Sequence, residues 1–126
     1  MNLLQETIAE FGRSMGMDKL RLSEQGNVVL AMQDIGTLCL ETAGPRGDEV
    51  LVSLTRSLPR ALENRPADLL AATHFHHRLK APMQVAVLRD QLVFAVVVPT
   101  GDLTLPTIYA LIHVLDEQHR SIGERT

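Results

Sequence analysis

The sequence predicts an α+β fold, an antiparallel sheet packed with helices in the order α-β-β-β-α-β-β-α. Three observations carry this expectation. Apolar residues recur at spacings of three and four near both ends of the chain, the period of an amphipathic helix. Between them lie five short runs rich in Val and Leu, several alternating with polar residues, the period of a strand. Most links between neighbouring runs hold only a few residues, whereas a parallel return needs a dozen or more.

The first helix is expected over residues 3–15, where Leu4, Thr7, Ile8, Phe11 and Met15 form one stripe and Glu6, Glu10 and Arg13 the opposite side. Gly16 is a natural stop. Three strands follow: "NVVLAMQ" (27–33), "GTLCLET" (36–42) and "EVLVSLTR" (49–56). Leu38 and Leu40 alternate with Thr37, Cys39 and Glu41; Val50, Val52 and Leu54 alternate with Leu51, Ser53 and Thr55. The separators "DIG" and "AGPRGD" carry the Asp, Gly and Pro of turns.

The period then changes. Pro66 and Asp68 suit the start of a helix, Lys80 its end, and Pro82 a stop, so a second helix is expected over roughly 66–79. "MQVAVLR" (83–89) and "QLVFAVVVP" (91–99) form a strand pair joined at Arg89-Asp90, the second apolar on both faces as a central strand would be. Thr104 and Pro106 open a last helix whose stripe is Ile108, Leu111, Ile112, Leu115, His119 and Ile122. No repeat or linker divides the chain, so residues 1–126 read as one domain.

Composition narrows the function classes. Aromatics are 3% of the chain, so the core is aliphatic and bases find no set of rings to stack on. With a net charge of −3 and no basic run, a nucleic-acid partner is not expected. The lone Cys39 excludes an internal disulfide and fits a reducing compartment. The N-terminus lacks the basic segment of a signal peptide, and the apolar run 92–99 is too short to span a bilayer as a helix. The chain reads as a soluble cytoplasmic protein without membrane insertion.

One motif asks for chemistry: "ATHFHHRLKAP" (72–82), with three histidines in four positions. On a helix His76 falls in line with Leu69 and Thr73, while His74 and His77 sit about 60° apart on the neighbouring flank. A zinc-protease helix needs two histidines four apart and a glutamate between them, and neither feature is present. A third ligand would have to come from His113 or His119. The alternative reading, a small metal-dependent or ligand-binding protein using His74 and His77, therefore stands second to an ordinary helix end. No Gly-x-Ser-x-Gly elbow or phosphate loop occurs, Cys39 lies in a strand pattern, and Asp34, Asp48, Glu49, Asp90 and Asp102 fall at turns. No catalytic residue, cofactor or metal is assigned, and an enzyme is not expected.

What remains is apolar surface. Val28 to Ala31, Leu88, Leu92, Phe94, Val96 and Val98 make strands apolar on both sides, more than three helices cover easily. Leu69, Leu70 and Phe75 of the middle helix, with Met83, Val85 and Val87 of the fourth strand, form the expected subunit interface.

The stretches "GTLCLE" (36–41), "LTRSL" (54–58) and "LTLPTIYALIHVLDEQHRSI" (103–122), with the element order and acidic charge, resemble the class I type III secretion chaperones. Within them the likeness is strongest to the SycN type, one half of a heterodimeric chaperone for the gatekeeper that plugs the secretion channel. Where such relatives often have a Gly-rich lead-in to the fourth strand, this chain has "LKAPMQ". The resemblance implies a bacterial cytoplasmic chaperone that pairs with itself or with a sister chaperone. It also implies that the N-terminal segment of a secreted gatekeeper or effector is held in extended form for delivery. Under it, Leu4, Ile8 and Phe11 of the first helix and Val29 and Ala31 of the first strand are assigned to the substrate groove.

Elemental analysis separates the two readings. The purified chain is expected to carry no stoichiometric metal; one zinc per chain, lost in the His74→Ala/His77→Ala variant, would reverse the order.

Overall fold

A computed structural model of the chain describes residues 3–58 and 83–124. Helix α1 runs Leu3–Ser14 and buries Leu4, Ile8, Phe11 and Gly12 on one side. The helix ends where Gly16 takes φ +81, with the Gly16 and Met17 N–H groups donating to the Arg13 and Gly12 carbonyls at 3.1 and 2.7 Å. The chain then folds back so tightly that a Cβ on Gly12 would lie 2.6 Å from Leu20 Cβ. Gln5 Oε1 accepts from the Leu22 N–H at 2.8 Å and pins this return to the helix.

Five antiparallel strands follow: β1 (Asn27–Met32), β2 (Gly36–Ala43), β3 (Glu49–Ser57), β4 (Gln84–Leu88) and β5 (Gln91–Pro99). Their spatial order is β1-β2-β3-β5-β4, so β5 is interior, as its two-sided apolar character requires, and β1 and β4 are the edges. Registers set the faces. Val28, Leu30, Leu38, Leu40, Val50, Val52, Leu54, Leu92, Phe94 and Val96 point to one side and are buried. The opposite side presents Val29 and Ala31, then Thr37, Cys39 and Glu41, then Leu51, Ser53 and Thr55, with Val93, Ala95 and Val97. The tight hairpins put Asp34 (φ 64) and Arg89 (φ 60) in the left-handed region.

Helix α2 spans Leu105–Glu124 after a 3₁₀ turn at Thr100–Asp102. Thr104 Oγ1 accepts from the Thr107 N–H at 3.3 Å, a cap for otherwise orphaned donors, and Pro106 lies in the first turn. Ile108, Leu111, Ile112, Leu115, His119 and Ile122 are buried, as their spacing predicts. Both helices pack on the same face of the sheet and share one core with it. Phe11 meets Tyr109 edge-on at 5.6 Å between ring centres, which couples α1 to α2. The sequence-predicted helix over 66–79 lies outside the described residues.

One polar hub closes the core at its rim. Arg56 of β3 donates to the carbonyls of Ile35 and Asp34 in the β1–β2 turn and to Asp116 of α2. Asp116 also accepts from Arg120 at 3.0 Å. One guanidinium thus ties a turn, a central strand and a helix together.

The β1–β2 turn tolerates no side chain at its last position. Gly36 has φ +132, and a Cβ there would lie 2.5 Å from the Thr55 carbonyl oxygen. Gly36→Ala is expected to cost more than about 1 kcal/mol, read as a lowered midpoint in urea unfolding; an unchanged midpoint would contradict the packing described.

Candidate functional site

The assigned residues divide sharply by exposure. Leu4, Ile8 and Phe11 are 3%, 0% and 0% exposed, sealed between α2 and the sheet. This corrects their assignment to a groove: a helical stripe identifies the buried side of a helix, and here the chain's own core occupies it. Val29, on the outward face of edge strand β1, is 59% exposed, and Ala31 beside it is exposed as well. Both are therefore available to another molecule.

The expected subunit interface divides the same way. Met83 is buried in the chain's own core and offers no surface, a second correction. Val85 is half-buried against the core beside Phe94, whereas Val87 further along the edge strand is 42% exposed. Leu69, Leu70 and Phe75 lie outside the described residues, as do His74, His76 and His77. Leu88, passed over as an interface residue, is 63% exposed at the end of β4. Strand alternation in "QVAVL" would have found it, since Leu88 pairs with Gln91 on the outward face.

Two sheet edges thus carry exposed apolar side chains, Val29 and Ala31 at one, Val87 and Leu88 at the other. The β1 edge opens onto a wide depression of about 780 Å³ beside the β1–β2 turn, lined by Ala31, Thr37, Asp34, Thr55, Arg56 and Gln91. Its lining mixes the apolar Ala31, Met32 and Ile35 with hydroxyl, amide and charged side chains.

The reactive side chains among the described residues have other occupations. Cys39 is half-buried, with Val29 and Ser53 as its cross-strand neighbours. Burial pushes its thiol pKa up, the Glu41 charge adds to this, and a hydrogen bond with Ser53 opposes it. The nucleophilic thiolate is thereby disfavoured. His113 pairs with Glu117 at 3.0 Å, and His119 Nε2 bonds the Leu54 carbonyl at 2.8 Å. Among the described residues no group of three or more His, Cys, Asp or Glu is placed to hold a metal ion. No described helix is long and apolar enough to cross a membrane.

The decisive comparison is one of sequence. The profile of the Tir chaperone protein (CesT) family matches residues 6–120, from α1 to near the end of α2. The chain belongs to the CesT family. Three solved structures share its fold. The ExsC–ExsE complex aligns with a TM-score of 0.76 at 20% identity, covering 98% of this chain and 96% of that one. The HopA1–SchA chaperone–effector complex gives 0.74 at 19%, covering 94% and 91%. SycH of Yersinia pestis, a type III secretion chaperone bound to a stable fragment of YscM2, gives 0.69 at 14%, covering 93% and 98%. At such identities these likenesses concern the fold. No curated protein sequence matches significantly.

Two substitutions test the division of α1 from β1. Phe11→Ala is expected to cost about 3–5 kcal/mol in urea unfolding, as for a fully buried ring. Val29→Ser is expected to stay within about 0.5 kcal/mol, as for an exposed side chain. Comparable costs would overturn the assignment.

Proposed function

We propose that this CesT-family protein is a bacterial cytoplasmic type III secretion chaperone. It dimerises, holds the N-terminal segment of a secreted gatekeeper or effector in extended form, and presents it to the secretion apparatus. Within the family the reading is of the SycN type, half of a heterodimer with a sister chaperone; a homodimer serving another effector is the nearer variant. The observation that carries the proposal is the family match along nearly the whole chain. Exposed apolar side chains on both sheet edges fit it.

The physics of such binding is additive and weakly specific. A peptide laid along β1 gains backbone hydrogen bonds worth about 0.5–1.5 kcal/mol each. Its alternate side chains contact Val29 and Ala31. Ordering the segment costs about 2–5 kcal/mol or more, so a long stretch of contacts is needed before binding is net favourable. No bond is made or broken, and no nucleotide, metal or other cofactor enters. The β4 edge, with Val85, Val87 and Leu88 beside Leu69, Leu70 and Phe75 in sequence, is the proposed subunit contact.

The test uses a secreted protein recovered with the chain from its native cytoplasm, and a synthetic peptide of that protein's N-terminal segment. Val29→Asp is expected to weaken peptide binding more than tenfold, since a carboxylate must then be desolvated, while the unfolding midpoint stays unchanged. Light scattering should give the mass of two chains, alone or with the sister chaperone. A monomer indifferent to such partners, binding peptide equally with Val29 or Asp, would overturn the proposal.

A further inference from the structure

The two described histidines have opposite surroundings. His113 stands on the exposed side of α2 beside Glu117. His119 is 6% exposed, its ring edge-on to Phe94 of β5 at 4.8 Å and 76°. Its Nε2 lies 2.8 Å from the Leu54 carbonyl oxygen of β3. A carbonyl oxygen only accepts, so Nε2 carries the hydrogen and a neutral ring keeps its lone pair on Nδ1. This bond joins the C-terminal helix to the middle strand of the sheet.

Among the described residues, Arg56 and Asp116 are the charges that act on the ring. β3 brings Arg56, and β5 brings Phe94 with no ionisable group at the contact. The histidine's own helix brings Asp116, which Arg120 of the same helix pairs. One Asp116 oxygen is taken by Arg56 and the other by Arg120, so this carboxylate is committed before any new cation forms. A protonated imidazole would place a second positive charge near Arg56 within the core.

We infer that His119 is a proton-sensitive latch: α2 packs on β3 most stably while this buried ring is neutral. A proton on Nδ1 destabilises that packing by placing charge in the core beside Arg56, although the Leu54 hydrogen bond remains. Burial pushes its pKa below the ordinary histidine value; the Leu54 hydrogen bond opposes this, the Arg56 charge reinforces it, and Asp116 opposes it. The unfolded chain takes up the proton near pH 6.5, the folded chain only at lower pH. Between those points the unfolded state holds more protons, so stability is complete above about pH 6.5 and falls as the medium is acidified. Release of α2 also reaches α1, because Tyr109 of α2 packs on Phe11 and hydrogen-bonds Ser14. Mild acid therefore acts on the junction that seals Ile8 and Phe11, independently of which molecule occupies the sheet edges.

Urea unfolding of the full chain at pH 7.5 and pH 5.5 tests the latch, with His119→Gln as a partner that can donate to Leu54 without titrating. The wild-type folding constant should fall on acidification by up to about tenfold more than that of the variant. Equal falls would overturn the inference. Should the variant not fold, ring nitrogen shifts of His119 in the wild-type protein decide. A neutral Nε2–H ring persisting below pH 6.5 supports the latch, and ordinary titration there refutes it.

Discussion

The fold depends on one seal: two terminal helices packed together on a single face of a five-stranded sheet. Leu4, Ile8 and Phe11 from one end of the chain meet Ile108, Leu111, Leu115 and Ile122 from the other, over Leu38, Leu40, Val52, Leu54 and Phe94. Each of these side chains contributes about 1.5–3 kcal/mol when fully buried. The contact joins the two ends of the sequence, so neither helix has a stable place without the other. Arg56 and His119 add direction to a layer that is otherwise greasy and uniform, by fixing α2 at two points on β3.

The same seal decides what is left outside. With α1 and α2 spent on one face, the outward face carries a mixture of Val, Thr, Ser, Ala and Glu, and the edges β1 and β4 are short. Edge strands with exposed apolar residues are a hazard unless another molecule covers them. The proposed chaperone role puts that hazard to use. Among the described residues the Cys39 thiol is pushed toward its protonated form, and His113 and His119 are engaged by Glu117 and the Leu54 carbonyl.

Much of this was legible in the sequence. Strand alternation in β2 and β3, the two-sided apolar β5 and the stripe of α2 each translated directly into place, because period and burial are one physical fact. The family was legible too, through short apolar phrases spread along the chain. What failed was the partner side of α1. Ile8 and Phe11 look the same in a sequence whether they face a neighbouring helix or a ligand, and only the position of α2 decides between them. Met83 failed for the same reason, since a residue just before an edge strand can turn either way. Arg56 could not be foreseen: its three partners are separated from it by 21, 22 and 60 positions. Val29 was assigned to a groove from its strand pattern, but only strand order shows that it stands, 59% exposed, on an edge.

The sheet is complete in its middle and unfinished at its borders, where β1 and β4 expose Val29, Val87 and Leu88. Amide hydrogen exchange, followed strand by strand in the isolated chain and again with its bound secreted partner, tests this most directly. Strong protection is expected in β3 and β5, rapid exchange in β1, and marked slowing in β1 once the partner is bound. Protection of β1 equal to that of β3 in the isolated chain, unchanged by the partner, would contradict it.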